Sequence, residues 1–155
     1  VLVDGDDLTE PVADSVRSIL DGHIVLARSL AAKNHFPAID VMMSTSRVMR
    51  DITSDRHREL AGKARSVMAV YRESEDLINI GAYAAGSNKK IDYAISRIEA
   101  INTFLTQEFA ESSSLEETLA LMGDLVSDRQ PADRRRPGRK GLDRRKTDGP
   151  ADEGA

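Results

Sequence analysis

Apolar residues fall into two regimes along this chain, short runs near the start and helical stripes further on. Val1 to Val3 and Ile24 to Leu26 are short apolar runs of strand character, and Ala38 to Met43 reads as a third. Between the first two, Pro11 suits a first helical turn, with Val12, Val16, Ile19 and Leu20 on one face. From about Asp55 the period becomes helical. Leu60, Ala64, Val67, Met68 and Tyr71 form one stripe, Ile91, Ile95, Ile98, Ile101 and Leu105 a second, and Leu115, Leu119, Met122 and Val126 a third. Gly81 and Gly86 punctuate the first junction, and Ser112, Ser113 and Ser114 offer caps for the last helix. The pattern predicts an α/β region followed by a small bundle of three helices packed against it.

The periodicity stops near Gln130-Pro131, and charge separates the two sides of that break. Residues 129–155 hold nine Arg or Lys against five Asp or Glu, net +4, so residues 1–128 carry −8 to reach the formal −4 of the whole chain. Nine cations fall within residues 129–146, with Leu142 the only large apolar side chain of the tail. Such a segment cannot bury enough apolar surface to offset its ordering entropy and is expected to be a disordered basic tail. It offers counterion release against phosphate backbones or anionic membrane surfaces, or else simple solvation, but no base-reading element, so no specific nucleic-acid partner is expected.

With 40% hydrophobic residues, the 155-residue chain is sufficient for one modest core, and aromatics at 4% make each phenylalanine informative. The absence of cysteine excludes disulfides, thiolate metal sites and thiol catalysis, and the three scattered histidines give no ligand spacing. No apolar run approaches the roughly 18 residues that span a bilayer, and the acidic start is unlike a signal peptide, so a soluble protein is expected, and the lack of cysteine suits a reducing cytosol. The first apolar run has nothing before it to form a hairpin or crossover, and the chain reads as cut mid-strand.

Candidate chemistry concentrates in Asn34-His35-Phe36-Pro37-Ala38-Ile39-Asp40 and the following Ser44-Thr45-Ser46-Arg47-Val48-Met49. A flat aromatic at a strand entrance, Phe36, can stack on a base. An arginine that cannot lose its charge, Arg47, can neutralise phosphoryl oxygens. The bland readings are a core or staple aromatic and a salt-bridged arginine. No G-x-x-x-x-G-K-[ST] segment occurs, since Gly62-Lys63 lies in a helical pattern and is followed by alanine. Asp6 and Asp7 have no apolar wall to separate their pKa values and are rejected as an acid/base pair.

These segments, with Val3-Asp4-Gly5-Asp6-Asp7-Leu8-Thr9-Glu10-Pro11, Ile19 to Leu26, and Ile80-Gly81-Ala82-Tyr83 with Gly86-Ser87, resemble the C-terminal third of the flagellum-specific export ATPases. That family includes the type III secretion ATPases and is related to the rotary ATP synthase beta subunit. The resemblance covers roughly residues 1–126. The Asp-Asp-Leu-Thr and Ser-Thr-Ser-Arg portions are shared with the beta subunits, whose acidic insertion between the C-terminal helices is not found here.

The resemblance implies the C-terminal part of a RecA-like P-loop core over residues 1–53, a helical domain over 54–127 and the tail beyond. It implies a homohexamer that hydrolyses ATP with Mg²⁺ at subunit interfaces, the P-loop and magnesium ligands lying upstream, so that this chain alone is expected to be inactive. Phe36 matches the adenine-stacking aromatic, and Phe109 is the better candidate for closing the other side of that pocket, Phe104 being a core residue. Arg47 matches the arginine that reaches the neighbouring subunit's phosphates. Asp7, Thr9 and Glu10 match a loop that grips a coiled-coil stalk protein, the bland alternative being a solvated loop capping the next helix. Implied partners are that stalk, a regulatory subunit, a membrane export gate and exported flagellar proteins, with the motor peripheral to the membrane export apparatus. The alternatives are a virulence-type secretion ATPase or another rotary-type subunit and, from a different class, a non-enzymatic helical adaptor whose basic tail carries the function.

Overall fold

The computed structural model describes Val3, Asp7 and residues 9–127. The expected strand over Val1 to Val3 lies outside them except for Val3, which is not in a strand, and the expected basic tail from 128 lies outside them altogether. The described residues form a mixed helix and strand fold in which an antiparallel strand pair precedes three long helices.

Helix α1, Pro11–Ile19, opens on proline at its first position, where the missing N–H costs nothing, with Asp14 complementing the first turn. It leads into β1, Gly22–Leu26, which pairs antiparallel with β2, Ile39–Ser46. A Cβ at position 22 would meet the Thr45 carbonyl oxygen at 2.7 Å, so the strands close at this end only on glycine. A single turn of helix, α2, Arg28–Ala32, and the left-handed Asn34 at φ 57° bring the chain back to the Phe36–Pro37 turn and into β2.

The strand expected over Ala38 to Met43 runs on through Ser44, Thr45 and Ser46, because Thr45 and Ser46 pair with His23 and Gly22. Between the pairs His23↔Thr45 and Val25↔Asp40, β1 advances two residues while β2 advances five, so β2 carries a bulge over 41–44. Polar groups of β2 itself satisfy much of it. Asp40 Oδ1 accepts from the N–H groups of Met42 and Met43 at 2.9 and 3.0 Å. Ser44 Oγ donates to the Asp40 carbonyl at 2.6 Å and accepts from Val25 N–H at 3.0 Å.

After the short α3, Met49–Ile52, the bundle consists of α4, Asp55–Asn79, α5, Lys89–Leu105, and α6, Leu115–Leu125. Each begins on a side-chain cap. Ser54 accepts from His57 N–H, Asn88 from Lys90 N–H, and Ser114 forms a reciprocal capping box with Glu117. Gly81 and Gly86, at φ 71° and 87°, turn the chain between α4 and α5.

The core is Val67, Ala94 and Ile101, with Met68, Val70, Tyr71, Tyr93 and Leu105 packed against it. The stripe expected on α5 is shifted. Burial centres on Ala94, Arg97 and Ile101, while Ile95 is turned outward, and on α6 Leu115 is exposed although it opens the expected stripe. Arg97 takes an inward place because its stem is apolar and its head finds partners. Its guanidinium lies 5.3 Å over the Tyr93 ring and donates to the Ser127 carbonyl at 2.7 Å. Among the described residues no helix is long and apolar enough to cross a membrane.

Candidate functional site

The strand pair holds the two singled-out residues at opposite ends. Phe36 precedes β2 at the Leu26 end of β1, and Arg47 follows it at the Gly22 end. The four steps of β1 put about 13 Å between those ends at roughly 3.3 Å per residue.

At the aromatic end the Phe36 ring is half exposed, with 49% of the residue accessible. Its carbonyl accepts from Gln107 N–H at 2.7 Å, and the neighbouring His35 Nδ1 lies 3.4 Å from Thr106 Oγ1. The loop after α5 is thereby tied to the turn that presents Phe36. Phe109 sits on that loop, which is braced by Gln107 Nε2 on the Glu111 carbonyl at 2.9 Å and by Glu108 N–H on the Glu111 carboxylate at 2.8 Å. The structure thus brings the loop of Phe109 to the backbone of Phe36 while leaving the Phe109 ring 97% exposed. Phe104 is half-buried and lines a small cleft of about 220 Å³ with Leu105, Gln107 and Thr118.

At the other end, Arg47 N–H donates to the Asp21 carbonyl at 2.7 Å, which fixes the backbone where β2 stops. Its Nη1 donates to the Ser18 carbonyl at 3.1 Å, near the C-terminus of α1, where carbonyls lack helical partners. Arg47 is exposed, and among the described residues it makes no ion pair with a carboxylate of the bundle. An open cleft of about 680 Å³ lies alongside, lined by Ser46, Arg50, Arg58, Glu59 and Arg65. Arg58 is engaged locally with Asp55 and with the carbonyls of Thr53 and Arg50.

Asp7, Thr9 and Glu10 lie together before α1, but neither Asp7 nor Thr9 caps it. The N-cap is Glu10, with no side-chain cap bond. Asp7 Oδ1 instead accepts from the Thr9 hydroxyl at 2.6 Å and from Thr9 N–H at 2.9 Å, closing a local turn ahead of the helix. The Thr9 hydroxyl and then its N–H hold the exposed Asp7 carboxyl below the ordinary aspartate value. Among the described residues no group of three or more His, Asp or Glu stands close enough to hold a metal ion.

The residue pattern gives no role to Arg65 or Arg72, which the structure draws together with Asp40 at the bulge of β2. The available signals were a carboxylate inside an apolar run and two arginines seven apart, hence on one face of α4.

Residues 53–124 match the family model of the EscN ATPase C-terminal domain of type III secretion systems, and residues 1–46 that of the ATP synthase alpha/beta family nucleotide-binding domain. The chain is 50% identical over 130 residues to a flagellum-specific ATP synthase of Bacillus subtilis, covering 84% of this chain and 30% of that protein. It is 48% identical over 127 residues to a type 3 secretion system ATPase of Sinorhizobium fredii, covering 82% of this chain and 28% of that protein. The assembled ATPase EscN of the enteropathogenic E. coli type III secretion system superposes with a TM-score of 0.77 at 42% identity, covering 82% of this chain and 31% of that one. EscN in complex with its central stalk EscO gives 0.71 at 43% identity, covering 76% and 29%. The chain therefore spans less than a third of the length of these relatives. It belongs to the flagellar and type III secretion ATPase family, spanning the C-terminal domain and part of the nucleotide-binding domain.

Proposed function

We propose that this chain is the C-terminal part of a homohexameric ATPase that energises flagellar or type III protein export by hydrolysing MgATP at subunit interfaces. Residues 1–53 then complete a RecA-like core and 54–127 form the helical domain beneath it. The relatives named as flagellar and type 3 secretion ATPases support the activity, and the assembled EscN supports the ring. The observation that carries the site reading is the 2.7 Å bond from Gln107 N–H to the Phe36 carbonyl, with Arg47 at the opposite end of the strand pair. One end offers an aromatic platform with a second aromatic on the loop docked beside it, and the other offers an exposed permanent cation.

Phe36 and Phe109 flank the adenine, with ordering of Phe109 over the base closing the second side. Arg47 enters the neighbouring subunit's site and neutralises charge developing on the transferred phosphoryl oxygens. The P-loop and the residues that hold magnesium belong to the remainder of the motor. Asp7, Thr9 and Glu10 face a coiled-coil stalk protein; the existence of a stalk partner, though not its point of contact, is supported by the solved complex of EscN with its central stalk EscO. The motor works in the cytoplasm at the membrane export gate, with a regulatory subunit and exported flagellar proteins as further partners.

Phe36→Ala in the full-length protein tests the aromatic platform. Stacking worth about 1–3 kcal/mol is held equally in ground and transition states, so KM for ATP should rise about 5- to 150-fold with a smaller change in kcat. Phe36→Tyr should be mild. An unchanged KM in steady-state hydrolysis by the alanine variant would remove Phe36 from the site.

A further inference from the structure

Helix α4 and strand β2 meet at one short polar joint. Arg65 Nη2 donates to the Ser44 carbonyl at 3.1 Å and more weakly to the Met42 carbonyl at 3.4 Å. One heptad further along the same face, Arg72 Nη1 stands 4.0 Å from Asp40 Oδ2. The other oxygen of Asp40 accepts from Met42 and Met43 N–H, so the two arginines and the carboxylate enclose the bulge over 41–44. Of the two arginines, Arg65 matters more. The Arg72 side chain is 60% exposed and its pair sits at the limit of contact, where solvent leaves little net attraction, whereas the Arg65 bonds are partly buried and charge-assisted.

The place of this joint in the strand gives it a consequence for Arg47. Met42 and Ser44 lie where β2 loses register with β1, and Arg65 supplies a donor to carbonyls in that interrupted stretch. Ser44 is three residues before Arg47, and its hydroxyl is locked both to β1 and to Asp40. Beyond it, Thr45 and Ser46 are extended backbone paired to β1, which transmits a displacement instead of absorbing it.

We propose that Arg65 is a positioning residue for Arg47: it fastens the β2 bulge to α4, so that the placement of the helical bundle sets how Arg47 approaches the neighbouring nucleotide. This rests on the reading of Arg47 as a residue acting across the subunit interface and deepens it. The held carbonyls are only partly buried, so water can replace Arg65 without collapse of the fold. The loss then appears in the geometry of the charged group, where a misplacement of about 1 Å can cost up to about 100-fold in turnover.

The test uses the full-length hexamer with Arg65→Gln, Arg65→Lys and Arg47→Ala compared for kcat, KM for ATP, ring assembly and Tm. Arg65→Gln should lower kcat about 10- to 100-fold with KM within about twofold and rings intact. Arg65→Lys, which keeps a cation able to reach a carbonyl, should recover to within several-fold of the unaltered enzyme. Normal kcat for Arg65→Gln beside an inactive Arg47→Ala overturns the positioning role and leaves the site reading standing. Near-normal kcat for Arg47→Ala overturns both. A fall in kcat that comes with loss of rings or of Tm, and that Arg65→Lys does not relieve, assigns Arg65 to structure alone. Should the glutamine variant fail to fold, Arg65→Met decides in its place, a loss of about 10- to 100-fold confined to kcat supporting the role and an unchanged kcat contradicting it.

Discussion

Arg47→Ala in the full-length hexamer should lower kcat by about 10³- to 10⁵-fold, equivalent to about 4–7 kcal/mol of barrier, with KM for ATP and ring assembly preserved. The reason is timing. In the proposed role the guanidinium acts on charge that develops as the terminal phosphoryl group is transferred, so its removal should spare ground-state binding. The carbonyls that Arg47 contacts within its own subunit, Asp21 through the backbone and Ser18 through Nη1, lie at an exposed helix end and do not depend on the side chain for burial. Arg47→Lys should rescue little, because an ammonium cannot reproduce the planar fork that spans two phosphoryl oxygens. Single-turnover and steady-state hydrolysis separate these quantities, and near-normal turnover by the alanine variant would assign Arg47 to structure.

The second large effect is expected on stability. Ile101 is 1% exposed and packs with Val67 and Ala94 at the centre of the bundle, so Ile101→Ala should cost about 2–5 kcal/mol through lost transfer energy and an unfilled cavity. The consequence reaches the candidate site, since α5 ends at Leu105 and the next residues carry the hydrogen bonds to His35 and Phe36. Urea unfolding of the 155-residue chain reads the change as a lower midpoint at constant slope. Ile95→Ala on the outer face, where the residue is 37% exposed, serves as the contrast and should cost far less. Equal losses for the two variants would contradict this placement of the core.

Much of this arrangement was legible from residue order. Pro11, Ser114 and the glycines at 81 and 86 occupy the places their backbone chemistry suits, and the α4 stripe holds Val67, Met68 and Tyr71 against the core. Two kinds of feature escaped. The first was register. An apolar run that stops at Met43 gives no sign that Ser44, Thr45 and Ser46 continue the strand, because the pairing of Thr45 and Ser46 is decided by His23 and Gly22 some twenty residues earlier. The second was polar burial. Arg97 lies off the expected α5 stripe, yet its stem packs inward and its head finds Tyr93 and the Ser127 carbonyl. The Arg65 joint escaped for the same reason, since hydrophobic periodicity cannot indicate which arginine of a solvated-looking helix meets a carbonyl on another element.

Phe36 and Arg47 could be singled out in the sequence because their chemistry is local, a flat ring before a proline and a fixed charge among hydroxyl residues. Phe109 is singled out only through the family resemblance, because its loop is tied to Phe36 by a backbone bond from Gln107 that no side-chain pattern encodes. Phe109 is 97% exposed, so its proposed closure over the base requires it to be ordered by bound nucleotide.

The claim that Arg47 works across the interface is tested most directly in mixed hexamers. Subunits carrying only Arg47→Ala are combined with subunits lacking only the lysine of the upstream P-loop, and hydrolysis is measured as a function of the mixing ratio. Each pure ring should be inactive, while mixed rings should recover part of the activity wherever a subunit with an intact P-loop adjoins one with an intact Arg47, with a maximum at intermediate ratios. Well-assembled mixed rings that show no complementation at any ratio would contradict action in trans.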